Sequence, residues 1–271
     1  RNYYHDPSAE MTVIAVTGTN GKTTSTYLLK HMIEEITGAK VGLVGTNGNM
    51  IGDVTYHTER TTPESLELQK LFREMADAGC GYVVMEVSSH SLVLNRVDGV
   101  HFHTGIFTNL TQDHLDFHKT MEEYARAKAL LFSRCEHGWF NLDDAWSGAM
   151  RKDATCTINT YSVESDDADL VAKDPRYASD GVRFCVMYQN ELQRVDLKIP
   201  GVFSVYNALG VIGAGLSMGF SLEQCCEAMN TATGVKGRME VVPTDGDYTI
   251  LIDYAHTPDA LENVLKTVKG F

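Results

Sequence analysis

Residues 12–16 (TVIAV) are a short apolar run, and they lead directly into Thr17-Gly18-Thr19-Asn20-Gly21-Lys22-Thr23-Thr24. Residues 23–36 then carry Tyr27, Leu28, Met32, Ile33 and Ile36 at helical spacing. A β-branched run reads as a buried strand, and a 3.6-residue period as a helix packed on it. The turn between them is the tightest constraint in the chain. Glycines let backbone N–H groups face inward around an anion, and the helix amino terminus adds a favourable dipole. Gly18, Thr19, Asn20, Gly21 and Thr24 are the expected cradle, with Lys22 on the β- and γ-phosphates and the Thr23 hydroxyl on Mg²⁺. The loop has the short form G-x-x-G-K-T; the longer phosphate-loop form would need glycine where Val16 stands.

The rest of the chain repeats this alternation. Strands are expected at 40–44, 81–87, 103–107 and 139–141, and helices at 64–78, 121–133, 205–217 and 221–231. Pro63 and Gly79 bracket the second helix. Alternating strands and helices predict an α/β fold: a mostly parallel sheet with helices on both faces. Residues 155–200 break the pattern with short strand-like runs at 182–188 and 194–199, so an antiparallel excursion is expected there. Residues 248–252 read as a last core strand. Helix-like residues 261–268 begin a further element close to Phe271, and the chain opens on Arg1. It therefore reads as a piece of a longer protein.

Composition excludes several classes of function. The 271 residues are 43% hydrophobic, enough for a large core, and the net charge is −13. That surface repels nucleic-acid phosphates. ATP is not excluded, because local amides, a lysine and a cation set the field in the site. The cysteines, Cys80, Cys135, Cys156, Cys185, Cys225 and Cys226, form no C-x-x-C pair, which argues against a disulfide framework or zinc site and for reduced cytoplasmic thiols. No apolar run reaches membrane-spanning length.

The strand 81–87 ends in Met85-Glu86-Val87, followed by Ser88-Ser89-His90. A carboxylate at the carboxyl end of a parallel strand faces the ligand crevice, so Glu86 is placed to share Mg²⁺ with Thr23. Asp113, His114, Asp116 and His118 crowd the loop after 103–107, a group suited to a hard cation or to proton handling. Lys128 lies on the apolar stretch of the next helix, where a snorkelling surface lysine would also fit.

The series TGTNGKTT, ERTTPES, EVSSHSL followed by Arg96, NLTQDHLDFH, YARAKALLF, FSVYNALG, GVKGRME and DYAHTPDAL resembles the Mur ligases, in the branch that adds the third residue of the peptidoglycan stem peptide. The likeness runs from about residue 12 to the end. The loop alone is shared with folylpolyglutamate synthases; the later motifs favour the Mur ligases. The resemblance implies that Glu86 binds a first Mg²⁺, that His114 binds a second, and that Lys128 is carbamylated and supports that second ion. Thr61, Thr62, Ser88 and Arg96 correspond to contacts of the nucleotide-sugar peptide, although Leu94 replaces a glutamine found in some members. Asn207, Arg238 and Asp253 correspond to adenine, phosphate and ribose contacts, with His256 nearby.

Such an enzyme is a bacterial cytoplasmic ligase, expected to act as a monomer. Its substrates are ATP, UDP-MurNAc-L-Ala-D-Glu and an amino acid, diaminopimelate or lysine. The substrate carboxylate takes the γ-phosphoryl group, and the amine then displaces phosphate. Residues 1–258 would be the ATP-binding middle domain and 259–271 the start of a C-terminal domain, with the UDP-binding domain absent. The alternatives are a folylpolyglutamate-type ligase and a nucleotide-binding module without ligase activity.

Overall fold

The structure, a computed structural model, describes residues 2–246, 248–256 and 258–269. Thr257 of the DYAHTPDAL run, and Gly270 and Phe271 at the end of the expected stub, lie outside the described residues. The strands are β1 (Thr12–Thr17), β2 (Val41–Val44), β3 (Asn49–Ile51), β4 (Val54–Tyr56), β5 (Tyr82–Glu86), β6 (Phe102–Phe107), β7 (Cys135–Asn141), β8 (Thr157–Ser162), β9 (Leu170–Ala178), β10 (Gly181–Tyr188), β11 (Glu191–Leu197), β12 (Glu240–Val242) and β13 (Ile250–Ile252). The helices are α1 (Lys22–Thr37), α2 (Ser65–Asp77), α3 (Ser89–Val93), α4 (Leu115–His118), α5 (Met121–Ala129), α6 (Ser147–Arg151), α7 (Val202–Ser217), α8 (Leu222–Thr231) and α9 (Pro258–Lys269).

β1 to β11 form one sheet in the order β11-β10-β9-β8-β7-β6-β1-β5-β2-β3-β4. The pairings β1–β5, β1–β6, β2–β5, β6–β7, β7–β8 and β8–β9 are all parallel. Helices cover both faces. Ile14 and Val16 of β1 pack with Leu28 and Met32 of α1, Leu209 and Ile212 of α7, and Met229 of α8. Val13 and Ala15 face the other way, into Phe72 and Met75 of α2 and Tyr124 of α5. A strand buried on both faces has to be apolar throughout, which is why β1 reads as a continuous run and not as an alternation. On α2, Leu68, Phe72 and Met75 fall at i, i+4 and i+7 and are all fully buried. Each contributes about 1.5–3 kcal/mol by leaving water.

The α/β class and the helices on both faces are as expected, with three corrections. First, the antiparallel region is narrower than 155–200. β8 extends the parallel sheet from β7, and antiparallel pairing begins only where β9 meets β10 and β10 meets β11. β8 has neighbours to hydrogen-bond on both sides, so the sheet continues through it. A second antiparallel strip, β3–β4, closes the other edge. Second, α5 stops at Ala129, and Leu130–Ser133 tighten into a 3₁₀ turn. Third, β13 is not a core strand. It pairs only with β12, and Ile250 and Ile252 are 43% and 49% exposed.

The arrangement brings the carboxyl ends of β1, β5 and β6 together beside the amino end of α1. This is the crevice where open parallel sheets bind ligands.

Candidate phosphate and metal site

The loop after β1 requires its two glycines. Gly18 and Gly21 hold φ of +149° and +85°. A Cβ on Gly18 would stand 1.9 Å from Thr108 Oγ1, and one on Gly21 would stand 2.4 Å from Asn207 Oδ1. The end of β6 pins the loop from outside. Thr19 N donates to Asn109 O at 2.9 Å, Asn20 N donates to Asn109 Oδ1 at 2.9 Å, and Thr108 Oγ1 donates to Asn20 O at 2.7 Å. Lys22 Nζ donates to Gly18 O at 2.9 Å and to Thr19 O at 2.8 Å. Burial lowers its pKa, Glu86 partly opposes that, and Arg238 adds to it. Thr24 is buried in the first turn of α1.

Glu86, 1% exposed, sits at the end of β5. Its Oε1 accepts from Thr23 Oγ1 at 3.0 Å and from Thr46 N at 2.9 Å, and its Oε2 accepts from Thr46 Oγ1 at 3.1 Å. Arg238 Nη2 reaches Thr23 Oγ1 at 3.2 Å. A hydroxyl and a carboxylate converging beside the loop are hard oxygen donors of the kind Mg²⁺ takes, so these residues fit that ion.

The residues expected to meet the peptide substrate gather beside Glu86. Thr61 Oγ1 is 3.0 Å from Thr46 Oγ1, and Thr62 Oγ1 donates to Glu86 O at 2.9 Å. Ser88 N donates to Thr62 Oγ1 at 3.2 Å, while the Ser88 side chain caps α3 by accepting from Ser91 N. Arg96 Nη2 pairs with Glu64 Oε1 at 3.0 Å, and its Nε is buried without a hydrogen-bond partner among the described residues.

Lys128 is no surface residue. It is 1% exposed, and its Nζ donates to Gly18 O at 2.7 Å. Two amines, those of Lys22 and Lys128, thus converge on one carbonyl. Burial first, and Lys22 second, hold the Lys128 pKa well below its ordinary value. A neutral amine is the form that can add CO₂, so the site fits a carbamate there. Tyr124 frames it, with its ring centroid 4.6 Å from Lys128 Nζ and its hydroxyl 3.3 Å from Thr19 Oγ1. The His114 ring stands edge-on to Tyr124 at 6.0 Å, in left-handed backbone at φ +53°, with Nε2 3.4 Å from Asp113 Oδ2. His118 stacks on Tyr124 and lies 2.8 Å from Ser89 Oγ. Burial lowers the pKa of His90, His114 and His118, which favours neutral imidazoles in this cluster.

The remaining expected contacts divide. Asn207 is buried on α7 against Gly21, and Arg238 reaches Thr23. Asp253 acts at one remove: its Oδ2 accepts from Met239 N at 2.7 Å, holding the turn that carries Arg238. His256 is exposed, and its Nδ1 meets Tyr254 O at 3.0 Å. Reading residues in sequence missed Thr46, Asn109 and Tyr124. Asn109 and Tyr124 lie inside quoted motifs, and their positions next to a strand end and one turn before Lys128 were the available signals. Thr46 follows β2 with no motif of its own.

Residues 16–215 match the Mur ligase middle domain, and residues 237–271 match the Mur ligase glutamate ligase domain. The UDP-N-acetylmuramoyl-L-alanyl-D-glutamate–2,6-diaminopimelate ligase of Clostridium botulinum is 49% identical over 272 residues, covering 100% of this chain and 56% of the relative. The chain therefore spans little more than half the length of that relative. A solved structure of a ligase of the same name superposes with a TM-score of 0.85 at 36% identity, covering 96% of this chain and 54% of that one. The Mycobacterium tuberculosis folylpolyglutamate synthase complexed with ADP and AMPPCP superposes at 0.78 with 15% identity, covering 99% of this chain and 68% of that one, a likeness of fold alone. With the middle-domain match running through the phosphate loop, Glu86 and Lys128, this chain belongs to the Mur ligase family.

Proposed function

We propose that this chain is the ATP-binding part of an ADP-forming amide ligase. The ligase adds the third amino acid, diaminopimelate or lysine, to UDP-MurNAc-L-Ala-D-Glu in peptidoglycan synthesis. The matched relatives are named for 2,6-diaminopimelate, which supports that amino acid. The observation that carries the reading is one cluster: the Thr23 hydroxyl on the Glu86 carboxylate at 3.0 Å, beside a loop whose Gly18 carbonyl takes both lysine amines.

Bound Mg²⁺-ATP supplies the γ-phosphoryl group that turns a carboxylate into a displaceable acyl phosphate. The chain's own residues provide position and charge. The loop amides and Lys22 hold the phosphates. Thr23 and Glu86 hold one Mg²⁺; His114 and carbamylated Lys128 hold the second. Thr61, Thr62, Ser88 and Arg96 orient the peptide, with the guanidinium suited to a carboxylate. Asn207, Arg238, Asp253 and His256 serve the nucleotide. On this reading residues 1–258 form the ATP-binding domain and 259–271 open the next; the match to the glutamate ligase domain begins earlier, at residue 237, and overlaps the end of the first. The setting is the cytoplasm and the acting form a monomer. No helix among the described residues is long and apolar enough to cross a membrane.

The test is Lys22→Ala in a full-length protein carrying this sequence. Loss of one preorganised charge at the phosphates should lower turnover by about a hundredfold or more. Turnover near that of the unaltered protein would refute the mechanism. Turnover of a folate in place of the muramyl dipeptide would replace the substrate class.

A further inference from the structure

The amino-terminal ends of β6 and β7 carry a second group of ligand-type side chains. They lie at the opposite end of the sheet from the phosphate loop. Residues 103 to 108 span about 16 Å of extended chain, so the two regions do not share ligands. His103, Glu136 and His137 each offer one donor atom, and the three atoms lie within 4.8 Å of one another. The rings of His103 and His137 have centroids 5.3 Å apart. His101 brings a further imidazole, with Nε2 2.8 Å from Glu136 Oε1.

His101, His103 and Glu136 border a cleft of about 320 Å³, also lined by Asp6, Ser8 and Met11. His103 Nδ1 lies 2.8 Å from the hydroxyl of Thr104, which is fully buried. A bond of that kind orients the imidazole and leaves its other nitrogen to an ion, as outer partners of metal-bound histidines do.

We propose that His103, Glu136 and His137 bind one zinc-class divalent ion that ties β6 to β7. Imidazole nitrogens suit zinc, whereas Mg²⁺ takes oxygens, so this chemistry is distinct from that at Glu86. Four-coordinate zinc with bonds of about 2.1 Å needs donors about 3.4 Å apart. Side-chain rotation closes the difference from 4.8 Å; Glu136, half exposed, can turn by releasing its hydrogen bond to His101.

Chelator-treated protein is titrated with ZnCl₂ by calorimetry, with MgCl₂ as control, and CoCl₂ is followed by visible absorption. One Zn²⁺ per chain that excess MgCl₂ does not displace, and a four-coordinate nitrogen–oxygen cobalt spectrum, are expected. Glu136→Gln should weaken Zn²⁺ by about tenfold or more, and His103→Gln/His137→Gln should abolish stoichiometric binding. No Zn²⁺ binding by the unaltered chain overturns the proposal. So does unchanged affinity in the double variant, or a thiolate signature with cobalt, since the chain has free cysteines. Glu136→Gln alters only an exposed side chain, so it carries the test if the double variant does not fold.

Discussion

At Gly21, two constraints coincide. Its φ of +85° disfavours any side chain, and the space a Cβ would need is taken by Asn207 Oδ1 at 2.4 Å. Gly21→Ala should therefore cost about 1–3 kcal/mol in denaturant unfolding. Adding Asn207→Ala removes the collision and leaves the backbone strain, so it should restore only part; full restoration would show that φ contributes nothing. Lys128 gives a pH signature. Its folded pKa lies well below the ordinary 10.5, through burial first. Between those two values the unfolded chain holds a proton that the folded chain does not, so this group's contribution to stability rises with pH across that window. Lys128→Met should remove the rise. Unfolding free energies of the two proteins in CO₂-free buffer between about pH 7 and about pH 10 would then diverge, whereas parallel curves would contradict a depressed pKa. Lysine 128 was legible as a conspicuous cation on an apolar stretch. Its burial was not, because a lysine stem fits a surface equally well until its neighbours are known.

Among the elements, β6 does more than fill the sheet. Its end supplies Thr108 and Asn109, which hold the phosphate loop by side chain and backbone. Asn109→Ala removes the Oδ1 acceptor for Asn20 N and the Nδ2 donor to Asn20 O. It should weaken Mg²⁺-ATP-analogue binding by about thirtyfold, at roughly 1 kcal/mol for each lost bond, while leaving the fold intact. Unchanged affinity on titration would mean the loop is held by Thr108 and the backbone alone. Elements with a strong period, α1 and α2, were legible to within a residue or two. The extent of the antiparallel region was not, because β8 and β9 have the same local pattern whether they pair parallel or antiparallel, and only the neighbouring strand decides.

For the whole molecule, ligand binding and ligation come apart. A nucleotide that binds only the folded state stabilises it by mass action, about 2.7 kcal/mol at a hundredfold excess over Kd. The chain with Mg²⁺ and a non-hydrolysable ATP analogue should therefore melt at a higher temperature in calorimetry, and the Lys22→Ala chain should not respond. Amide formation from the 271-residue chain alone is not expected, since it spans 56% of its relatives' length. Detectable product would show that the remaining length is dispensable for chemistry.

The strand–loop–helix at 12–36, the α/β alternation, and the positions of Lys22 and Thr23 in a glycine loop and of Glu86 at a strand end were written in local order. Hydrophobic period and glycine placement act over a few residues, and these features need nothing longer. Tertiary structure alone decided that Lys128 reaches the Gly18 carbonyl across 110 positions of sequence, that Thr46 holds Glu86, that β13 leaves the core, and that His103 meets Glu136 and His137. Those are contacts between distant segments. Their energies depend on which strands lie side by side, and that is set by packing of the whole sheet.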